Sequence, residues 1–531
     1  MVMSPDMILY NAHVYTMDRR QPRASAIAIA GDRIVAIGDD SLRALAGAET
    51  EMIDLDARMV TPGLIDAHLH FLAYGLSLRE IDLMNVPTRD VALARIAERA
   101  AVTPPGHWLT GRGWDQVLWP QPEFPTAAQL DAVTPEHPAF VRRKCGHAGW
   151  ANSLALKLAG ITRDTPDPDG GAIERDPVTG EPTGILLERA MELVFRLQAI
   201  PSDDAAVDAV RVAQTQAHQM GITGIHNMEA APALRAFQEL RRRGEWKLRV
   251  LQQIPEVDMD DAIALGIQSG YGDDWIRFGA VKIFADGSLG ARSALMVDPY
   301  EGEPHNRGIA VSTAEHLKMQ VMKAARAGLA VHIHAIGDQA NRNVLDAIEA
   351  TRRAGVGLHL RHRIEHAQVL HPDDLPRFAA LQVIPSMQPI HCTQDIVLAD
   401  RHWGERSRLA YAWSSLLSSG AVLAFGSDAP VETPDVLQGI YAAVTRRRGD
   451  GYPGPEGWWP EECVSVEEAL YAYTLGAAYA GGEEASKGSL TPGKLADLTV
   501  LEQDIFTLAA HQLPTTQVSA TMVGGEFVYR R

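Results

Sequence analysis

The sequence predicts an α/β protein: a (β/α)8 TIM barrel with a small β-sandwich domain built from both termini and an insertion subdomain after barrel strand 1. Three observations predict it. Strand-like and helix-like runs alternate through the middle of the chain, the mark of a parallel sheet. Eight of the strand-like runs end near His70, Glu229, Ile254, Asp286, Gly337, Gln368, Pro389 and Asp428, the strand count of a closed barrel. Side chains of metal-ligand type sit at the far ends of five of these runs, where barrel enzymes place their chemistry.

The elements follow in order. ILYNAHVYTM, AIAIAGDRIVAIG and EMIDLDARMV read as strands parted by Gly-Asp turns, and ADLTVLEQD and QVSATMVGGEFVYRR repeat that character near the C-terminus. Neither terminal piece can bury a sheet face alone, so 1–61 and 485–531 are expected to form one composite β-sandwich. Residues 62–484 supply the barrel, with helical patterns such as TAEHLKMQVMKAARAG and ANRNVLDAIEATRRAG following the strands and ending in Gly. Between the first and second strands lie roughly 71–220, far more chain than a crossover needs. That stretch predicts a subdomain over 75–200.

A chain of 531 residues with 46% hydrophobic and 22% charged residues is ordinary for a globular enzyme. The net charge of −18 argues against nucleic acid as a partner. Three widely spaced cysteines, Cys145, Cys392 and Cys463, make neither a zinc ribbon nor a disulfide framework. The N-terminal residues lack the pattern of a signal peptide, and no run approaches the ~20 apolar residues of a membrane span. The expectation is a cytoplasmic protein that acts on a small molecule without a membrane partner, with a homodimer left open.

His68 and His70 close the apolar run TPGLIDAHLH, and residues two apart on a strand share a face. In VKIFADG the same parity sets Lys282, Phe284 and Asp286 on one face, leaving a lysine inside the barrel. A buried, unpaired ammonium tends to neutralise, and a neutral lysine can add carbon dioxide to become a bridging carbamate. A plain ion pair with Asp286 is the simpler alternative. His332 and His334 share a face, as do His362 and His366, and in each pair the residue nearer the strand end is the better ligand. Asp428 follows LAFGS, with small residues Ala424 and Gly426 on its face. An aspartate at the C-terminal end of a barrel strand reads as catalytic. These nitrogen and carboxylate donors suit one or two divalent metals.

Taken together, PGLIDAHLH (62–70), CGHAGWANSLAL (145–156), PTGILLE (182–188), VKIFADGSLGARSAL (281–295), HAIGDQAN (334–341), RIEHAQ (363–368), GSDAPV (426–431) and LTPGKLADLTVL (490–501) resemble the amidohydrolase superfamily, in its family 3 or YtcJ-like branch. The resemblance implies a mono- or dinuclear site, usually of zinc, with Mn, Fe or Co as the other metals considered. It implies that His68 and His70 bind the more buried metal with Asp428, that His334 and His366 bind the second, and that carboxylated Lys282 bridges them. It also sets His147, Asn152 and Glu188 around the substrate pocket.

The expected reaction is hydrolysis of a C–N bond of amide type, such as an N-acyl or N-formyl amine, by metal-bound hydroxide. Asp428 would shuttle the proton, and His366 and Lys282 would complete the catalytic group. Trp114 and Trp119 are candidates for an apolar wall, and Asp286, Ser288 and Arg292 for contacts that orient substrate. Esters and carbamates remain alternatives on the same site, as does a non-hydrolytic regulator of the same fold.

Overall fold

The structure is a computed structural model that describes residues 4–84, 86–143, 148–168, 171–197 and 202–531. Its centre is an eight-stranded parallel sheet: β1 (Leu64–Leu69), β2 (Ile222–Asn227), β3 (Arg249–Pro255), β4 (Ile276–Phe284), β5 (Ala330–Ala335), β6 (Arg363–His366), β7 (Ile384–Met387) and β8 (Ala424–Phe425). The strands neighbour one another in chain order. The ends of the sheet meet: the Asp428 N–H donates to the His68 carbonyl at 2.7 Å, and the His70 N–H to the Ala429 carbonyl at 2.8 Å. Asp66 in β1 draws in the other side, accepting from the Ser427 N–H at 3.0 Å and the Ser427 hydroxyl at 2.5 Å. Such closure fits a TIM barrel.

Register aligns the candidate residues. Lys282 pairs with His332 and Phe284 with His334 across β4 and β5, and Ala335 pairs with His366 across β5 and β6. Amphipathic helices pack outside. Thr313 caps Ala314–Arg326 by accepting from the His316 N–H, and the buried positions Leu317, Val321, Ala324 and Ala325 recur at helical spacing.

Strands from both termini share one six-stranded sheet, in which Met59–Pro62 pairs with Leu498–Leu501. A four-stranded N-terminal sheet covers it, and Leu9, Ile27, Val60, Leu498 and Met522 form a common core. ILYNAHVYTM is not one strand but two, Met7–Tyr10 and His13–Tyr15, which enter different sheets. Asn11 makes the switch with a left-handed φ of 55°, a conformation asparagine tolerates better than most residues.

Residues Gly75–Ala209 form a compact unit of their own. Its six-stranded sheet encloses a core of Trp114, Trp119, Trp150, Leu130 and Ile185. Among the described residues, no helix is long and apolar enough to cross a membrane.

Candidate metal centre

Side chains from the C-terminal ends of β1, β4, β5, β6 and β8 converge on a cavity of about 340 Å³. It is lined by His68, His70, Lys282, His334, His366 and Asp428, together with Phe284, Ser288, Leu289, Ile336, Gln368, His391, Asp395 and Val431. All six side chains singled out as ligands in the sequence therefore open onto one space.

Asp428 is the hub. Its Oδ1 lies 3.5 Å from His68 Nε2 and 3.4 Å from His70 Nε2, while its Oδ2 lies 3.9 Å from His391 Nε2. Burial pushes its carboxyl up, but the hydrogen bond from His70 and the electrostatic pull of the His68, His366 and His391 imidazoles outweigh that and hold it well below the usual carboxylate range. Asp428 (φ 59°) and His366 (φ 73°) both adopt left-handed backbone. Non-glycine residues hold that conformation only where their surroundings enforce it.

In His68, His334 and His366 one ring nitrogen is left free by the hydrogen bond the other makes. His68 Nδ1 donates to Glu365 Oε2 at 2.5 Å, leaving Nε2 with its lone pair. His366 Nδ1 donates to Gln388 Oε1 at 2.8 Å, again leaving Nε2. His334 is the reverse: its Nε2 donates to the Gly287 carbonyl at 2.9 Å and leaves Nδ1. Burial pushes His68 and His334 down to about 4, with Lys282 adding to the effect, so both rings are neutral and able to ligate at neutral pH. Two sets bring ligand atoms within 4.8 Å of one another: His68, His70 and Asp428, and His366, His391 and Asp428. Neutral nitrogens and an anionic oxygen at this spacing suit a divalent cation. His334 belongs to neither set, although its ring centroid is 4.7 Å from that of His366.

Lys282 is 5% exposed, and burial lowers its ammonium to about 8 against the opposing pull of Glu365 and Asp428. The carboxylates that act on it are thus those of Glu365 and Asp428, not Asp286. The Asp286 carboxylate accepts backbone N–H groups from Leu295, Ile336 and Gly337 at 2.8–3.0 Å. It fastens loops and does not line the cavity, which corrects its expected role as a substrate contact.

Other expectations are corrected too. Trp114 is fully buried, its indole N–H donating to the Val141 carbonyl at 2.8 Å, and with Trp119 it forms the core of the Gly75–Ala209 unit. Asn152, 1% exposed, caps the helix Ser153–Leu158 by accepting from the Ala155 N–H and also accepts from Ala139, while its amide donates to Thr134 and His137. Its five side-chain hydrogen bonds are all structural. Arg292 is exposed and ion-paired with Glu303, and it is not among the cavity's lining residues, whereas Ser288 is. Glu188 ends the strand Pro182–Glu188 as an exposed residue with a φ of 50°. His147 lies outside the described residues.

The parity expected for β6 also fails. His362 is fully buried and accepts the Val331 N–H on Nδ1 at 3.2 Å, so it turns to the β5 backbone and does not share the cavity with His366. The inward face of β6 belongs to Arg363 and Glu365. Arg363 donates to the Ala67 carbonyl at 2.6 Å, to Ser386 Oγ at 2.7 Å and to Glu365, and all its partners are buried. Burial raises the Glu365 carboxyl, but Arg363 and His68 outweigh it and keep it anionic. The left-handed backbone at His366 departs from strand geometry, and the His366 side chain lines the cavity although it alternates with Arg363 and Glu365. Sequence reasoning missed Glu365, Gln388, His391 and Asp395. Glu365 had a signal, as a carboxylate at strand parity with Arg363 inside RIEHAQ.

A closed parallel barrel bearing a histidine–aspartate cluster at its C-terminal end defines a class, the metal-dependent amidohydrolases. A model of the amidohydrolase family matches residues 51–529, and the chain belongs to that family. Within it the chain falls in the YtcJ-like branch. It is 35% identical to putative amidohydrolase YtcJ of Bacillus subtilis over 533 residues, covering 99% of each chain. It is 30% identical to N-substituted formamide deformylase of Arthrobacter pascens over 545 residues, covering 99% of this chain and 98% of that one. A solved structure of an uncharacterized metal-dependent hydrolase from Pyrococcus furiosus superposes with a TM-score of 0.78 at 31% identity, covering 94% of this chain and all of that one. The relatives also include the exoenzymes regulatory protein AepA of Pectobacterium carotovorum, 30% identical over 390 residues, with 70% and 82% coverage.

Proposed function

We propose that the protein hydrolyses a carbon–nitrogen bond other than a peptide bond, in an N-acyl or N-formyl amine. The observation that carries this reading is the placement of Asp428: one carboxylate oxygen faces His68 and His70, the other faces His391, and both open on the cavity. His68, His70 and Asp428 would hold one divalent cation, zinc by preference, and His334 and His366 a second. Such a cation supplies Lewis acidity and acidifies a bound water from ~15.7 towards ~7.

The chain's own groups do the rest. Asp428 accepts the proton of the attacking water and passes it to the departing nitrogen, which leaves as a neutral amine. Glu365 and Gln388 fix the tautomers of His68 and His366, so their nitrogens face the cavity without rearrangement. Lys282, lowered by burial to about 8, has enough neutral amine to add carbon dioxide. That step forms an N–C bond, releases a proton, and gives an anion suited to bridging two cations. Phe284, Leu289, Ile336 and Val431 supply an apolar wall for the acyl or amine substituent. Similarity to N-substituted formamide deformylase supports the amide-type substrate.

The test is a panel on zinc-replete protein: N-formyl amines, N-acyl amino acids, cyclic imides, carbamates and aryl esters, followed by amine or acid release in labelled water. Turnover of amides with one labelled oxygen in the acid supports the proposal. Ester or carbamate turnover alone moves the substrate class. Silence across the panel favours the regulator reading, for which the similarity to AepA is the supporting observation. Asp428→Asn should lower kcat at least ~100-fold even when assayed with enough zinc to restore metal occupancy.

A further inference from the structure

His391 and Asp395 stand four residues apart on the helix Pro389–Trp403, hence on one helix face, and both line the cavity. Asp395 is held by one oxygen only. Its Oδ2 accepts from Gln368 Nε2 and from the Tyr411 hydroxyl, each at 2.7 Å, and Gln368 and Tyr411 are themselves 3% and 1% exposed. Among the described residues Oδ1 accepts no hydrogen bond. His391 Nε2 is buried and likewise has no hydrogen-bond partner among the described residues. Of the other lining residues, Phe284, Leu289, Ile336 and Val431 are apolar and offer that carboxylate no side-chain donor.

A carboxylate clamped rigidly on one side and open on the other is a preformed acceptor, and leaving it unmatched in a partly enclosed site is costly. We infer that Asp395, with His391 beside it, is the subsite for the amine portion of the substrate, and that this portion carries an N–H donor or ammonium group. The inference rests on the hydrolase reading for identifying the cavity as the substrate site. It narrows the substrate class from any N-acyl amine to one whose amine side presents donors to an acidic wall. His391 Nε2, 3.9 Å from Asp428, lies between that wall and the proton-carrying carboxylate. It is therefore placed to contact the same nitrogen as it leaves.

The test needs no turnover, so its failure is distinct from failure of the hydrolase reading. Zinc-loaded protein is titrated calorimetrically with benzylammonium and with benzyl alcohol, a neutral molecule of nearly the same shape. Wild type should prefer the ammonium by roughly tenfold or more, as expected for a charge-assisted hydrogen bond. Asp395→Asn should abolish the preference, and Tyr411→Phe, which removes one clamp, should reduce it. If Asp395→Asn does not fold, the Tyr411→Phe comparison decides. Equal affinities in wild type, no binding of either probe, or a preference that survives both variants overturns the inference. Survival in particular would assign the binding to the metal and not to the acidic wall.

Discussion

His68 and Glu365 are joined across the barrel, from β1 to β6, by a buried hydrogen bond of 2.5 Å between Nδ1 and Oε2. Arg363 donates to Oε2 of the same carboxylate at 3.1 Å, and its Nη2 lies 2.8 Å from Oε1 in a buried ion pair. The pair fixes which nitrogen of His68 faces the cavity. Glu365→Gln keeps the shape but removes the charge that orients the imidazole. Metal affinity should fall by roughly 10–100-fold, the usual cost of losing such a partner, with the melting temperature nearly unchanged. Metal titration against a chromogenic chelator reads it, and an unaltered affinity counts against the orienting role.

Lys282 is expected to act as its carbamate. Activity measured in carbon-dioxide-depleted buffer should fall and return on addition of bicarbonate, and Lys282→Gln should show neither response. Native mass measurement of the zinc-loaded protein should find an added carbon dioxide in wild type alone. A lysine that is unmodified under conditions of full activity would remove the carbamate from the mechanism.

His218 gives a pH dependence far from the metal ligands. Its ring is buried and its Nε2 donates to the Lys247 carbonyl at 2.8 Å, and burial pushes it from 6.5 down to about 4 despite that bond. The folded state therefore binds its proton more weakly than the unfolded chain. The stability tied to the neutral ring is complete above about 6.5 and is lost as pH falls through about 4. The shift corresponds to about 3 kcal/mol. Chemical denaturation of His218→Gln between these limits should give a flatter profile than wild type, and parallel profiles would refute the assignment.

Arg249 in β3 and Asp497, just before the strand Leu498–Leu501, form a buried two-bonded pair at 3.0 and 2.9 Å. Their side chains are 1% and 4% exposed. The pair ties the barrel to the segment that enters the terminal sheet. Arg249→Ala leaves a buried carboxylate unpaired and should cost about 3–5 kcal/mol. Replacing both residues by apolar ones of similar size should restore much of that loss. Equal destabilisation in the single and double variants would show that the ion pair is not the cause.

Much of the site was legible because strand parity and strand ends are written in local sequence. His68, His70, Lys282, His334, His366 and Asp428 all open on one cavity. The errors have physical causes. Trp114 and Asn152 looked like site residues because aromatic and amide side chains serve pockets and cores equally well, and here both satisfy their polar groups internally. Asp286 lies just past a catalytic-type strand, yet three backbone N–H groups consume its carboxylate. His362 failed because alternation assumes a regular strand, and the backbone at His366 is left-handed.

The barrel, the shared terminal sheet and the residues at the strand ends can be read from the chain alone, since each depends on apolar periodicity and turn chemistry within a few residues. Folding sets which nitrogen of His68, His334 and His366 is free, joins Glu365 and Arg363 to His68, and brings His391 and Asp395 to the cavity's lining. Those features depend on groups tens to hundreds of residues apart meeting within hydrogen-bond distance, and no local pattern encodes such a meeting.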